Sequence, residues 1–194
     1  MVRGECHTGT RWARDPVTGK SMTVPADMTY SQWYEKYVEK RDLGLTEEKE
    51  YAINRWVSSD FYPINEKLRQ GIELTNEEKR AITNLDRALE KFPRYAGSVK
   101  RSLVISDPTE LQRFVNTHTV GNTVTYNEYI AATCGKTYNP DAEVQIYIPQ
   151  CKNGRDIRSF NTGEQEILYA RGSSFVVSKV VRKGYKVMVC LHEK

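Results

Sequence analysis

"GEQEILYARGSSFVV", residues 163–177, holds two short runs rich in Ile, Leu, Tyr, Phe and Val that break at Arg171-Gly172. Runs of this kind, bounded by glycine, are expected to form strands. Glu164 and Glu166 stand at the mouth of the first run. Side chains two apart on an extended chain point the same way, so they are expected as paired carboxylates about 7 Å apart at their Cα atoms.

Working outward, the strand pattern fills the second half. "SVKRSLVI" (98–105), "NTVTYNEYIAAT" (122–133), "EVQIYIP" (143–149), "EILYA" (166–170), "SSFVVSKVVR" (173–182) and "YKVMVCLHE" (185–193) all read as strands. Upstream the period changes to that of a helix. Ile53, Trp56 and Val57 share one face between Thr46 and Leu89, as do Ile82, Leu85 and Leu89. Thr75 with Glu78 has the spacing of a capping box, and "DPTE" at 107–110 combines a capping Asp107 with Pro108 at the first helical position. Helices followed by strands predict an α+β fold. Residues 1–43, rich in turn formers, read as a connector with one short helix in "YSQWYEKYVEKRD", and 44–194 as the domain.

The chain has 194 residues, 39% hydrophobic and 28% charged, which suits an ordinary globular protein. A net charge of +4 helps hold a phosphate-bearing ligand but falls short of a nucleic-acid binder. The basic residues Lys179, Arg182, Lys183 and Lys186 straddle Gly184 and read as a solvated hairpin tip. No apolar run is long enough to span a bilayer, and "MVRGECHTGTRW" lacks the apolar stretch of an export signal. Cys6, Cys134, Cys151 and Cys190 show no CxxC spacing and His7, His118 and His192 no HxxxH, so free thiols are expected and no metal site.

GxGxxG, GxxxxGK[ST] and GxSxG motifs are all missing. The paired glutamates suit a transition state with positive charge on a sugar carbon, which a fixed anion stabilises. A glycosidase has such a state, and so does an enzyme that cuts the N-glycosidic bond of a nucleotide.

"FNTGEQEILYARGSSFVV" (160–177) resembles the carboxy-terminal E-x-E motif of arginine-specific mono-ADP-ribosyltransferases. "YAGSVKRSL" resembles that family's first core strand and gives Arg101, while "YPINEKLRQG" resembles its upstream helix and gives Asn65 and Arg69. The three blocks stand in the family's order. Where the family has aromatic-x-Ser-Thr-Ser, this chain reads "YIAATCG", so Ala131 and Ala132 replace two hydroxyl residues and only Thr133 keeps one. "GTRWARDPVTGKSMTVPADMTYSQWYEKYV" is similar to the end of the head-morphogenesis (minor capsid) domain of phages.

The resemblance implies a split, mostly antiparallel two-sheet core that takes NAD as substrate and releases nicotinamide, with an arginine-bearing target protein as second partner. It implies that Arg101 and Arg69 hold the diphosphate with help from Asn65, and that the carboxamide docks at the backbone of Ser102. Glu166 would face the oxocarbenium ion and Glu164 would orient the target guanidinium. Phe160 would contact the target, and Thr133 or a water would replace the lost serine beside Glu166, a loss worth about 1 kcal/mol of positioning. Phage head or portal proteins are further expected partners, in the cytoplasm of a bacterial host or in the virion. A phage assembly module without turnover and an NAD glycohydrolase are the alternatives.

Overall fold

The computed structural model describes residues 11–14, 21–24, 27–34, 43–161 and 163–194, which fall into two units, residues 1–44 and 45–194. In the first unit, β1 (Arg11–Arg14) and β2 (Ser21–Val24) pair antiparallel, with Arg11 opposite Val24. Helix α1 (Tyr30–Tyr34) follows, and Val24 and Trp33 are buried beside partly buried Ala13, Met28 and Tyr30. The connector expected from composition thus contains a hairpin and a small apolar cluster. "RWAR" and "SMTV" are too short to stand out among the turn formers around them. Residues 35–42 of the expected helix, together with Cys6 and His7, lie outside the described residues.

Three helices open the second unit. Helix α2 (Glu47–Val57) carries Glu47, Glu48 and Glu50 in its first turn and Arg55 in its last, each suited to its end of the helix dipole. Helix α3 (Tyr62–Gln70) stops at Gly71, whose φ of 69° allows the Gly71 and Ile72 N–H groups to reach back to Leu68 and Lys67. Helix α4 (Asn76–Leu89) starts with the expected capping box, Thr75 Oγ1 accepting from Glu78 N–H at 3.2 Å and Glu78 Oε2 from Thr75 N–H at 2.8 Å. Its Leu85, Ala88 and Leu89 are buried, as is Ile53 of α2. Helix α5 (Pro108–Thr117) is capped by Asp107 as read from the sequence.

Eight strands make the sheet: β3 (Gly97–Leu103), β4 (Thr123–Tyr126), β5 (Ile130–Thr133), β6 (Val144–Cys151), β7 (Arg155–Asp156), β8 (Glu166–Tyr169), β9 (Ser173–Lys183) and β10 (Lys186–Glu193). Their order is β4-β9-β10-β6-β3-β5-β8-β7, antiparallel except for β10 beside β6. The stretch 122–133, expected as one strand, is two. Its first half pairs with β9 at one edge and its second with β8 towards the other.

Between β3 and β5 the register holds only one pair, Lys100 opposite Thr133. The sheet therefore has two parts, β4-β9-β10-β6-β3 and β5-β8-β7, joined at a single point, as the expected two-sheet core requires. The sheet carries a core cluster in which Val99, Val144, Ile146, Ile167, Tyr169, Phe175 and Val189 are almost wholly buried. The expected basic turn is the β9–β10 hairpin, where Gly184 has a φ of 60°.

Candidate active site

Strand β8 begins at Glu166, directly after a turn in which Gln165 has a φ of 51°. Thr133 of β5 is its cross-strand partner. The Glu166 side chain is buried at 5% exposure, a costly position for a carboxylate without donors. Both oxygens have one. Trp56 of α2 donates its indole N–H to Oε1 at 2.7 Å, and Asn161 donates Nδ2–H to Oε2 at 2.7 Å. Burial pushes the Glu166 carboxyl above the ordinary range, the two donors oppose it, the neighbouring Glu164 charge adds to the rise and Arg101 subtracts from it.

Glu164 is exposed and sits in the turn, not on the strand. The paired carboxylates are therefore not an extended i, i+2 pair. The link between them is Asn161, whose Nδ2 also donates to Glu164 Oε2 at 3.1 Å. Thr133 shapes the turn from β5: its hydroxyl donates to Glu164 O at 2.9 Å and accepts from Gly135 N–H at 3.0 Å. Thr133 thus holds the backbone of the turn, and the bonds expected from it to Glu166 come from Trp56 and Asn161.

Arg101 lies in the middle of β3, half-buried, and donates from Nη1 to Ala131 O at 2.6 Å across the joint. Burial lowers its pKa, while Glu128, Tyr126 and Glu166 act the other way. Ser102 donates its hydroxyl to Gln145 Oε1 at 2.8 Å and accepts from Asn139 N–H at 3.2 Å. Where β3 and β5 diverge, a cleft of about 210 Å³ opens, lined by Lys100, Arg101, Ser102, Ala131, Ala132, Thr133, Tyr138, Glu164 and Glu166. Two carboxylates and two cations thus face one space.

Asn65 and Arg69 of α3 are placed differently. Asn65 is clamped to the backbone of Tyr129, Nδ2–H donating to Tyr129 O at 3.0 Å and Oδ1 accepting from Tyr129 N–H at 2.8 Å. Arg69 is exposed and pairs with Glu66, Nε donating to Oε2 at 2.9 Å. Its charge and that of Arg101 both feel Glu128. Phe160 is half-buried with its ring against Phe92, centroids 5.5 Å apart.

Sequence reading missed Trp56 and Asn161. Trp56 shares an apolar helix face with Ile53 and Val57, and there its ring does pack on Phe61 and Tyr129 at 5.8 and 5.7 Å. An indole N–H that must find an acceptor when buried was the available signal. For Asn161 the signal was its place in "FNTGEQE", three and five residues before the two glutamates.

Residues 29–189 match the ADP-ribosyltransferase exoenzyme family. A search of curated proteins found no match. Among solved structures, Plx2a, an ADP-ribosyltransferase toxin from Paenibacillus larvae, is similar with a TM-score of 0.64 at 19% identity, over 84% of this chain and 94% of that one. Exoenzyme S from Pseudomonas aeruginosa, in complex with human 14-3-3 protein beta and bound to carba-NAD, gives 0.62 at 18% over 84% and 82%. The ADP-ribosyltransferase Vis in complex with agmatine gives 0.65 at 16% over 84% and 82%. These likenesses are of fold. The family match makes the chain a member of the ADP-ribosyltransferase exoenzyme family, and NAD is its substrate.

Proposed function

We propose that this chain transfers ADP-ribose from NAD to arginine side chains of a target protein. The observation that carries the reading is that Glu164, Glu166 and Arg101 line one cleft. Arg101 binds the diphosphate, for which its planar, permanently charged fork is suited. Arg69, exposed and paired with Glu66, reaches a second phosphate oxygen by exchanging Glu66 for it. Asn65 fixes the strand that borders the ligand. The backbone at Ser102 receives the carboxamide, and Thr133 holds the turn that presents Glu164.

Glu166 hydrogen-bonds the ribose hydroxyls. As the C1′–N bond breaks, its electron pair leaves with nicotinamide, and the fixed Glu166 anion stabilises positive charge on the sugar. A guanidinium nitrogen of the target then bonds to C1′ and gives its proton to Glu164. That help matters because arginine does not lose a proton to water at neutral pH. The agmatine bound to Vis, which carries the same guanidinium, supports an acceptor of this class.

The test uses labelled NAD with an arginine-rich acceptor, mass spectrometry of the labelled residue and nicotinamide release. Wild type is expected to label arginine, Glu166→Ala to do neither, and Glu164→Gln to release nicotinamide without labelling. Label on another residue type would overturn the arginine assignment. Release by wild type without any labelled acceptor would make it a glycohydrolase.

For residues 1–43 we propose the setting that their sequence resemblance implies, the end of a phage head-morphogenesis domain with phage head or portal proteins as partners. In-frame coding for such a domain immediately upstream in the genome is the expected finding, and an unrelated reading frame there would remove this setting.

A further inference from the structure

We propose that Trp56 and Asn161 are the positioning residues of Glu166, together fixing both oxygens of its carboxylate in a strand environment that offers it no hydroxyl. The proposal rests on the catalytic reading of Glu166 above and adds what holds that residue in place.

The two β5 residues on the face of Glu166 nearest to it cannot supply the bonds. Thr133, directly opposite, spends its hydroxyl on the backbone of Glu164, and Ala131, on the same face two residues earlier, has none. The donors come instead from distant parts of the chain. Trp56 reaches Oε1 from α2, 110 residues away in sequence, and Asn161 reaches Oε2 from the segment before the turn. Each bond is 2.7 Å long, in the range of charge-assisted hydrogen bonds. One donor per oxygen removes the freedom of the carboxylate to rotate about its last bond.

Trp56 is itself fixed. Its ring lies against Phe61 and Tyr129, whose own rings are 5.8 Å apart, and the Tyr129 hydroxyl bonds to Ile82 O and Asp86 Oδ1 of α4 at 3.1 and 2.5 Å. The indole N–H is therefore aimed before any ligand arrives, the condition under which a hydrogen bond contributes to catalysis without reorganisation. The groups that act on the Glu166 charge are Trp56 from α2, Asn161 and Glu164 from the segment before β8, and Arg101 from β3. Both donors favour the anion.

The experiment measures nicotinamide release from NAD across pH for the full chain, as wild type, Trp56→Phe, Asn161→Ala and Glu166→Gln. Trp56→Phe keeps an aromatic ring against Phe61 and Tyr129 and loses the donor together with the second ring of the indole. Its kcat is expected to fall about tenfold, equivalent to about 1.4 kcal/mol. KM for NAD should stay within about twofold, because Glu166 keeps its contact with the ribose hydroxyls while the charge developing in the transition state feels the loss most. The acid limb of the rate profile should move to higher pH. Asn161→Ala should show the same split and the same direction, and it carries the test alone if Trp56→Phe does not fold.

Loss of release in Glu166→Gln, with kcat and acid limb of both donor variants as in wild type, would overturn the proposal and leave Glu166 catalytic. Full activity in Glu166→Gln would remove the catalytic reading, and the proposal with it. A fall confined to soluble yield or to KM would assign the two side chains to folding or to NAD contact, and would also overturn it.

Discussion

At the scale of a residue, the site turns on how one buried anion is kept charged. Glu166 has five influences on it: burial and the Glu164 charge raise its pKa, while its two hydrogen bonds and Arg101 lower it, and the rise wins. A carboxyl held above the usual glutamate range of about 4.3 contributes stability to the folded chain below that range and loses it as pH climbs through the raised value. Its anion is the working form, so the rate of NAD cleavage should increase with pH across a limb above that of a free glutamate. Glu164→Gln removes a negative charge that pushes Glu166 upward, so the limb of nicotinamide release should shift to lower pH. The sign is opposite to that expected for Trp56→Phe. A pH series on that variant, read by nicotinamide release so that loss of the acceptor step does not interfere, checks it; a limb that stays put would mean the two carboxylates do not interact.

At the scale of elements, α3 and the entry to β5 depend on each other through Asn65. Its amide gives and receives one bond with the Tyr129 main chain, closing a two-bond clamp between helix and strand. Asn65→Ala leaves a backbone donor and acceptor without partners and should lower stability by about 2 kcal/mol in urea titrations. If Asn65 instead served NAD directly, KM would rise with little change in the urea midpoint. This clamp also explains what could and could not be read in advance. Local rules found α4 and α5, because Thr75 with Glu78 and Asp107 with Pro108 act within one turn of chain. The stretch 122–133 looked like one strand, since its composition does not record that Asn65, 64 residues away, takes up the backbone of Tyr129 where the strand breaks. Glu164 and Glu166 were legible as paired carboxylates at the mouth of an apolar run, and Arg101 by its place in the motif "YAGSVKRSL". Trp56 was not, because its partner is made by the fold.

At the scale of the whole molecule, the cleft exists because the two parts of the sheet share only the Lys100–Thr133 pair at their joint. Something else must keep them at a fixed angle, and Glu193 at the end of β10 does part of this. Its Oε1 accepts from the Tyr169 hydroxyl of β8 at 2.8 Å and from Lys152 N–H at 2.8 Å, and its Oε2 accepts from Asn153 Nδ2–H at 2.8 Å. One side chain thus ties β10 in the first part to β8 in the second and to the loop after β6. Burial pushes the Tyr169 hydroxyl well above the ordinary tyrosine range, so it remains a donor. Glu193→Ala removes the carboxylate acceptor of that hydroxyl and four further bonds to the Lys152–Asn153 loop. The expected loss is about 2 to 3 kcal/mol in urea titrations. Glu193 is not part of the lining of the cleft. If it acts by holding the angle, residual NAD cleavage at low temperature should show a raised KM, because Arg101 on β3 and Glu166 on β8 stand on opposite sides of the joint and must grip one ligand together. A fall in stability with KM unchanged would mean that the Arg101–Ala131 bond across the joint holds the two parts without help from Glu193.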